Sequence, residues 1–275
     1  MIYLLSEEGR RALSTLAARP VLYAFDFDGT LAPISPDRHA VKIPYSVSEW
    51  LKELSKRAPC AVVSGRGLAD LVPRVNGMVP YMIGNHGIER PTASPEAVHA
   101  AEGICLEWKE VIAAYLAKRL EELGVEVEDK RFSLTFHFRA AADAPRVHLA
   151  VLALLQQLTP APQVVSGKSS VNLLPPGAGG KGPAVLELMV KLRQSGLFFV
   201  GDDETDENVF ALKEGLAMGV RIGRYAESRA SFFLKHQSEL EEVLRFLVHR
   251  LDRTPELRGR DGLGFGDPKP AANER

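Results

Sequence analysis

Two aspartates, Asp26 and Asp28, stand two residues apart where the apolar run Val21–Phe25 gives way to Gly29 and Thr30. Residues i and i+2 of an extended chain share a face, so both carboxylates converge, and their repulsion calls for a cation or a shared proton. A divalent metal is the obvious compensation, although D-x-D alone also describes a loop with two solvated aspartates. A second acidic cluster, Asp202, Asp203, Glu204, Asp206 and Glu207, follows the apolar residues 197–200 and Gly201. One reading makes it the negative first turn of a helix. The other joins it to the first cluster, because Mg2+ takes a few carboxylates together with water and phosphate oxygens. Lys181, set in Gly179-Gly180-Lys181-Gly182, offers a cation on a flexible backbone. Ser64-Gly65-Arg66, after Ala61-Val62-Val63, offers a hydroxyl, backbone N–H groups at a helix start and a guanidinium, a set suited to an oxyanion. Each piece alone is an ordinary turn or loop.

These side chains need a frame that brings them together. Short apolar runs at 21–25, 61–63, 81–83 and 197–200 each end in a polar, glycine-containing loop, and helical stretches such as 47–57 and 207–214 separate most of them. Apolar strands alternating with helices predict a parallel sheet covered on both faces, and ligands of such sheets bind at the carboxyl ends of the strands. Every cluster above sits at such an end, as does Gly84-Asn85-His86-Gly87. Ahead of the first strand, Ser6 with Glu7 and Glu8 starts an amphipathic helix that runs to about Ala18 and stops at Pro20.

The middle of the chain has a different pattern. Over 104–123 the residues Trp108, Ile112, Tyr115, Leu116, Leu120 and Leu123 recur at helical spacing up to Gly124. Phe132, Leu134, Phe136 and Phe138 then alternate with Ser133, Thr135, His137 and Arg139, which makes a strand with one apolar and one polar face. A helix over 144–158 and a strand region over 163–174 complete an α+β lobe. Its helices should cover one face of a small antiparallel sheet and leave the other face to a ligand. The expected fold class is therefore α/β, a doubly wound parallel-sheet core with an inserted α+β cap. The expected division is a helix packed on the core in 1–20, a discontinuous core of 21–90 and 177–251, a cap of 91–176, and a disordered tail in the Gly-, Pro- and charge-rich 252–275.

Composition narrows the ligand. The 275 residues carry 34 Lys and Arg against 35 Asp and Glu, a net charge of −1, so no global field draws in nucleic acid or an anionic membrane and an anionic ligand needs a local site. Cys60 and Cys105 lie far apart with no C-x-x-C, which argues against a disulfide scaffold or a zinc knuckle. No apolar stretch reaches the ~20 residues of a membrane span, and the acidic and basic residues Glu7, Glu8, Arg10 and Arg11 are unlike a signal peptide, so a cytoplasmic location is expected.

In the order D-x-D-G-T, S-G-R, Lys and G-D-D-E-T-D-E, the chain resembles the haloacid dehalogenase superfamily of phosphotransferases. The resemblance implies that Asp26 attacks phosphorus to form an aspartyl-phosphate, that Asp28 acts as acid and then base, and that Ser64, Gly65, Arg66 and Lys181 receive the phosphoryl oxygens. It also implies Mg2+ held by Asp26, the Asp28 carbonyl and Asp202, with Asp206 in support. Asp26 to Ile34, Gly84 to Gly87, Glu128-Asp129-Lys130, His137-Phe138-Arg139, Gly167-Lys168 and Gly201 to Glu207 are similar to the trehalose-6-phosphate phosphatases. That family's pattern implies that Glu128, Lys130, Arg139 and Lys168 bind the sugar while His86 faces it from the core, and it implies a functional association with a trehalose-6-phosphate synthase. One departure stands out. Where the family has a Glu, an apolar residue, a basic residue and Pro, this chain reads Asn172-Leu173-Leu174-Pro175, and a neutral amide accepts a hydroxyl more weakly than a carboxylate. The small-molecule partner that the resemblance implies is a sugar phosphate, trehalose 6-phosphate first and a pseudo-disaccharide or other glycosyl phosphate second. A silent sugar-phosphate sensor is a third reading, against which the retention of Asp26, Asp28, Lys181 and Asp202 argues.

Overall fold

The computed structural model describes residues 1–35, 37, 40–167, 169–213 and 215–253. The chain opens with β1 (Ile2–Tyr3), which the sequence pattern did not reveal. The Ser6 hydroxyl then accepts the Gly9 N–H at 3.1 Å and caps α1 (Glu7–Leu16). The first half of the core follows as β2 (Val21–Phe25), α2 (Tyr45–Ser55), β3 (Cys60–Val63), α3 (Leu68–Val75) and β4 (Tyr81–Ile83).

The insert comes next. α4 (Pro95–Val111) begins earlier than the apolar periodicity indicates, because Ser94 caps it and its first turns carry little apolar signal. A wider π turn at Ile112–Leu116 separates it from α5 (Ala117–Glu122), so the single helix expected over 104–123 is two. β5 (Glu126–Asp129), β6 (Leu134–His137), α6 (Ala144–Leu155), β7 (Gln163–Gly167) and β8 (Ser170–Leu174) complete it, the expected strand region of 163–174 being a hairpin. The chain returns through α7 (Lys181–Lys191), β9 (Gly196–Gly201), α8 (Glu207–Phe210), β10 (Ala217–Ile222), β11 (Phe232–Leu234) and α9 (Leu240–Asp252). α8 stops well short of the helix expected over 207–214. Asp203 and Asp206 cap one another around a tight turn at Glu204–Asp206, and the chain must then swing back to pair β10 with β9; Glu214 lies outside the described residues. Asp252 closes α9 rather than opening the tail expected over 252–275, whose residues from 254 onward lie outside the described residues.

Seven strands form a parallel sheet in the order β1-β11-β10-β9-β2-β3-β4. Side chains alternate across it. Tyr23, Phe25, Val62, Phe198 and Val200 pack on one face with residues of α1, α2, α3 and α9, and Leu22, Ala24, Val63, Leu197 and Phe199 pack on the other with α7 and α8. Each fully buried Val, Leu or Phe side chain among them contributes about 1.5–3 kcal/mol, so the sheet is held from both sides. The second sheet is antiparallel, in the order β5-β6-β8-β7. Leu134, Phe136, Val171 and Leu173 bury its apolar face against Trp108, Ile112, Leu120, Val151 and Leu155. Trp108 keeps its indole N–H satisfied on the Pro160 carbonyl at 2.9 Å. Both cysteines are buried and free, and among the described residues no helix is long and apolar enough to cross a membrane.

Candidate active site

β2 and β9 are neighbours, and the Asp26 N–H extends their ladder by donating to the Val200 carbonyl at 2.9 Å. This pairing sets the two acidic strand ends side by side. Gly29, at φ +81°, turns the first loop against the second so closely that a Cβ there would lie 2.3 Å from an Asp202 carboxylate oxygen. Carboxylate oxygens of Asp26, Asp202 and Asp206 come within 4.8 Å of one another, and all three residues are buried. Lys181, 2% exposed at the start of α7, places its Nζ 2.7 Å from Asp26 Oδ1 and 2.7 Å from Asp206 Oδ1. The remaining Asp206 oxygen accepts the N–H groups of Asp202 at 3.0 Å and Asp203 at 3.1 Å, so this residue orients the loop as well as the lysine.

Charge is unbalanced here. Burial, then the Asp206 and Asp202 carboxylates, hold the Asp26 carboxyl well above its usual range, with Lys181 pulling the other way. Burial opposes the charge on Lys181, but Asp206 and Asp26 outweigh it and raise its pKa. Three carboxylates against one ammonium fit a hard divalent cation, which needs oxygen ligands and would relieve the surplus negative charge.

The neighbouring strand ends add the groups expected for an oxyanion. Ser64 is buried after β3, and its Oγ accepts the Arg66 N–H at 3.1 Å. Arg66 does not stand open to a phosphate. Its guanidinium grips both oxygens of Asp28 at 2.7 Å each, and its third nitrogen holds Asp70 at 2.6 Å, above the Phe27 ring. Asp70, in turn bound by Arg74 at 2.8 Å, keeps a lowered pKa despite its partial burial, because both arginines stabilise its charge. His86 follows β4 at φ 56° and lies so close over Gly65 that a Cβ there would meet the ring at 2.5 Å. Burial, then the charges of Lys130 and Lys181, hold its imidazole well below the usual range, with Asn172 acting in the opposite sense. His86 is therefore neutral.

The cap's polar face closes the other side. Glu128 and Lys130 come from the end of β5, with Glu128 Oε2 2.8 Å from His137 Nε2 and Lys130 Nζ donating to the Gly65 carbonyl at 3.1 Å. Arg139 is exposed and reaches the Ser35 carbonyl at 3.4 Å, on the loop after β2. Asn172 is buried, and its amide is bonded within the cap sheet: Oδ1 accepts the Thr135 hydroxyl at 2.8 Å and Nδ2 donates to the Val165 carbonyl at 3.1 Å. Leu174 packs with Ile88, Ala101 and Phe132. Lys168 lies outside the described residues. Between the two faces is a cavity of about 240 Å3, lined from the core by Asp26, Asp28, Ser64, Gly65, Arg66, His86, Lys181 and Asp202 and from the cap by Glu128, Lys130, Arg139 and Asn172. Thr135, His137, Ser170 and Asp203 also line it. Asp203 belongs to the acidic cluster read from the sequence; Thr135, His137 and Ser170 were not expected as site residues, although the alternation of β6 puts Thr135 and His137 on the same face as Arg139.

Comparison with known proteins places this arrangement. Residues 24–238 match the family model described as trehalose-phosphatase. A trehalose-phosphate phosphatase of Mycolicibacterium paratuberculosis is 33% identical over 217 residues, which is 75% of this chain and 55% of that protein. The chain thus spans about half the length of such curated relatives. Among solved structures, the C-terminal domain of the Candida albicans trehalose-6-phosphate phosphatase aligns with a TM-score of 0.67 at 21% identity, covering 87% of this chain and 96% of that one. The Aspergillus fumigatus trehalose-6-phosphate phosphatase aligns with a TM-score of 0.62 at 24% identity, covering 90% and 99%. With the acidic ends of a doubly wound sheet facing an inserted antiparallel sheet, and with a family model spanning both, the chain belongs to the trehalose-phosphatase family.

Proposed function

We propose that this chain is a Mg2+-dependent phosphatase that hydrolyses trehalose 6-phosphate to trehalose and phosphate. The observation that carries the reading is the buried Asp26–Lys181–Asp206 cluster beside Asp202, opening into a cavity whose far wall is the polar face of the cap. The catalytic body is read as 21–90 with 177–251, the cap as 91–176, with the strand and helix of 1–20 added to the edge and face of the core.

Asp26, Asp202 and the Asp28 main chain would hold Mg2+, with Asp206 in support, and the ion would supply charge neutralisation at the phosphoryl oxygens. Asp26 acts as nucleophile: its carboxylate oxygen bonds to phosphorus as the bond from phosphorus to the sugar oxygen breaks. Lys181 holds that carboxylate in place and offers its remaining proton to a phosphoryl oxygen, and Ser64 with the main chain of Gly65 offers more donors. Asp28 protonates the leaving sugar oxygen. It then takes a proton from the water that attacks the aspartyl-phosphate, which frees phosphate and restores Asp26. Splitting the hydrolysis in this way replaces one hard step by two easier ones. Arg66 aims the Asp28 carboxylate, and because both Asp28 oxygens accept from it, one of those bonds must yield when Asp28 carries a proton.

Glu128, Lys130, Arg139 and His86 are the proposed sugar contacts, with Lys168 added by its motif. Asn172 favours a second reading, a phosphatase for a related pseudo-disaccharide or other glycosyl phosphate, since a neutral amide bonded to Thr135 and Val165 stands where the family pattern has a carboxylate. A functional association with a trehalose-6-phosphate synthase, which would supply the substrate, belongs to the same proposal. The test is phosphate release from trehalose 6-phosphate, glucose 6-phosphate and other sugar phosphates, with and without Mg2+. Trehalose 6-phosphate should be the best substrate, with turnover lost on chelation and in Asp26→Asn. Equal turnover of glucose 6-phosphate would move the conclusion to the second reading, and turnover that survives Asp26→Asn would overturn the mechanism.

A further inference from the structure

One of the contacts between cap and core is made by a fully buried amide, Asn85, which together with its partner Ser133 is 0% exposed. Neither residue lines the cavity. The Asn85 main-chain N–H donates to the Arg66 carbonyl at 2.7 Å. Its Nδ2 donates to Glu89 Oε2 at 2.5 Å and to the Lys130 carbonyl at 3.2 Å, and its Oδ1 accepts the Ser133 hydroxyl at 2.7 Å. Glu89 Oε2 also accepts the N–H of Leu68, at the start of α3, at 2.9 Å. The amide therefore ties the Ser64–Gly65–Arg66 loop to the turn between β5 and β6. Lys130, on that turn, makes a parallel tie by donating from Nζ to the Gly65 carbonyl. Asn85 stands at φ 47°, in the left-handed region that asparagine tolerates better than other residues bearing a Cβ.

We propose that Asn85 and Ser133 form the catch that sets the closed position of the cap, so that Glu128 and Lys130 are registered to the phosphate-holding loop and the sugar is gripped only when the phosphate is correctly seated. The proposal rests on the phosphatase reading above. The physical basis is that a buried amide is costly to leave half satisfied. The cap is stable with the Asn85 amide fully bonded, or swung away with water on both sides, and intermediate positions are disfavoured. Both residues act through others and are positioning residues, since neither touches the cavity.

Ser133→Ala removes only the hydroxyl, and Ser133→Thr restores it. Steady-state kinetics on trehalose 6-phosphate, which needs the cap, should show kcat/KM lowered by about tenfold in Ser133→Ala and recovered in Ser133→Thr. On 4-nitrophenyl phosphate, which needs only the core groups, the same variant should stay within about twofold. Asn85→Ala should have the larger effect on the sugar phosphate, since it also removes the bonds to Glu89 and Lys130, and adding Ser133→Ala to it should cost little more, because the contact with Ser133 is already gone. Equal losses on both substrates, or no loss on either, overturn the proposal. Amide hydrogen exchange reads the catch without any substrate. Faster exchange in Ser133→Ala at 64–68 and 130–134 together supports it, and exchange that is unchanged, or faster at 130–134 alone, overturns it. An unmodified protein that leaves trehalose 6-phosphate intact would sink the functional reading while this second measurement still decides on the catch.

Discussion

The core delivers its polar groups from strand ends. Asp26, Ser64, His86 and Asp202 each follow a different strand of the parallel sheet and are buried, and Lys181 is paired at close range with Asp26 and Asp206. The cap delivers its groups from one face of an antiparallel sheet, where Thr135, His137 and Asn172 project by simple alternation and the outermost, Arg139, remains exposed. In the core a small displacement would break several charge contacts at once, which suits a fixed chemical step. In the cap each side chain can change without disturbing the backbone ladder. The present chain shows such a change at Asn172, which is satisfied within its own sheet. On the proposed reading, the chemical step sits where loops are clamped by neighbouring strands, and recognition sits on a sheet face.

The contrast can be broken most directly at Asp26. Asp26→Asn should lower turnover of every phosphate ester by a factor on the order of 10^4 or more, measured as phosphate released with Mg2+ present; a loss limited to sugar phosphates would erase the distinction between the two regions. Next in size is Lys181→Met, which leaves Asp26 and Asp206 buried without their cation and should cost about 3–5 kcal/mol in denaturant unfolding. A near-neutral result there would mean that the buried charges find other compensation. Glu128→Gln, by contrast, should raise KM for trehalose 6-phosphate by about 10–100-fold, the worth of a charged hydrogen bond, with 4-nitrophenyl phosphate turnover unchanged. A parallel fall on both substrates would place Glu128 with the core groups.

The smallest effect concerns pH. His86 is held neutral in the folded protein, below the value of about 6.5 it regains on unfolding. Below that pH the unfolded chain binds the extra proton, so stability present above about pH 6.5 is lost as pH falls, at up to about 1.4 kcal/mol per unit. Unfolding midpoints followed from pH 7.5 to 5 should fall for the unmodified protein and fall less for His86→Gln. Identical slopes would show that His86 is solvated and not part of the closed wall.

Much of this was legible because it is local. The D-x-D spacing at the end of an apolar run required Asp26 and Asp28 to lie at a strand end, and the alternation from Phe132 to Arg139 required one polar face. Less was legible where short or mixed segments hide their state. β10 contains Gly219 and Arg221 between its apolar residues, and β1 has only two residues, so neither carries a clear period. β10 forms because the six-residue β9 beside it supplies its hydrogen bonds, and β1 forms only by adding to the sheet edge at β11. Arg66 was expected at the phosphate, and no local pattern could have shown that Asp28, 38 residues away, would take both of its forward nitrogens.

The sequence by itself determined which chemical groups stand at turns and strand ends, because spacing along the backbone orients each side chain relative to its own segment. Only the tertiary structure decided their partners. Lys181 meets Asp26 across 155 residues, and Ser133 meets Asn85 across 48, because β9 lies beside β2 and the cap turn folds down on the loop after β4. Those pairings depend on strand order and on the cost of leaving a buried polar group unmatched, which no segment can settle alone.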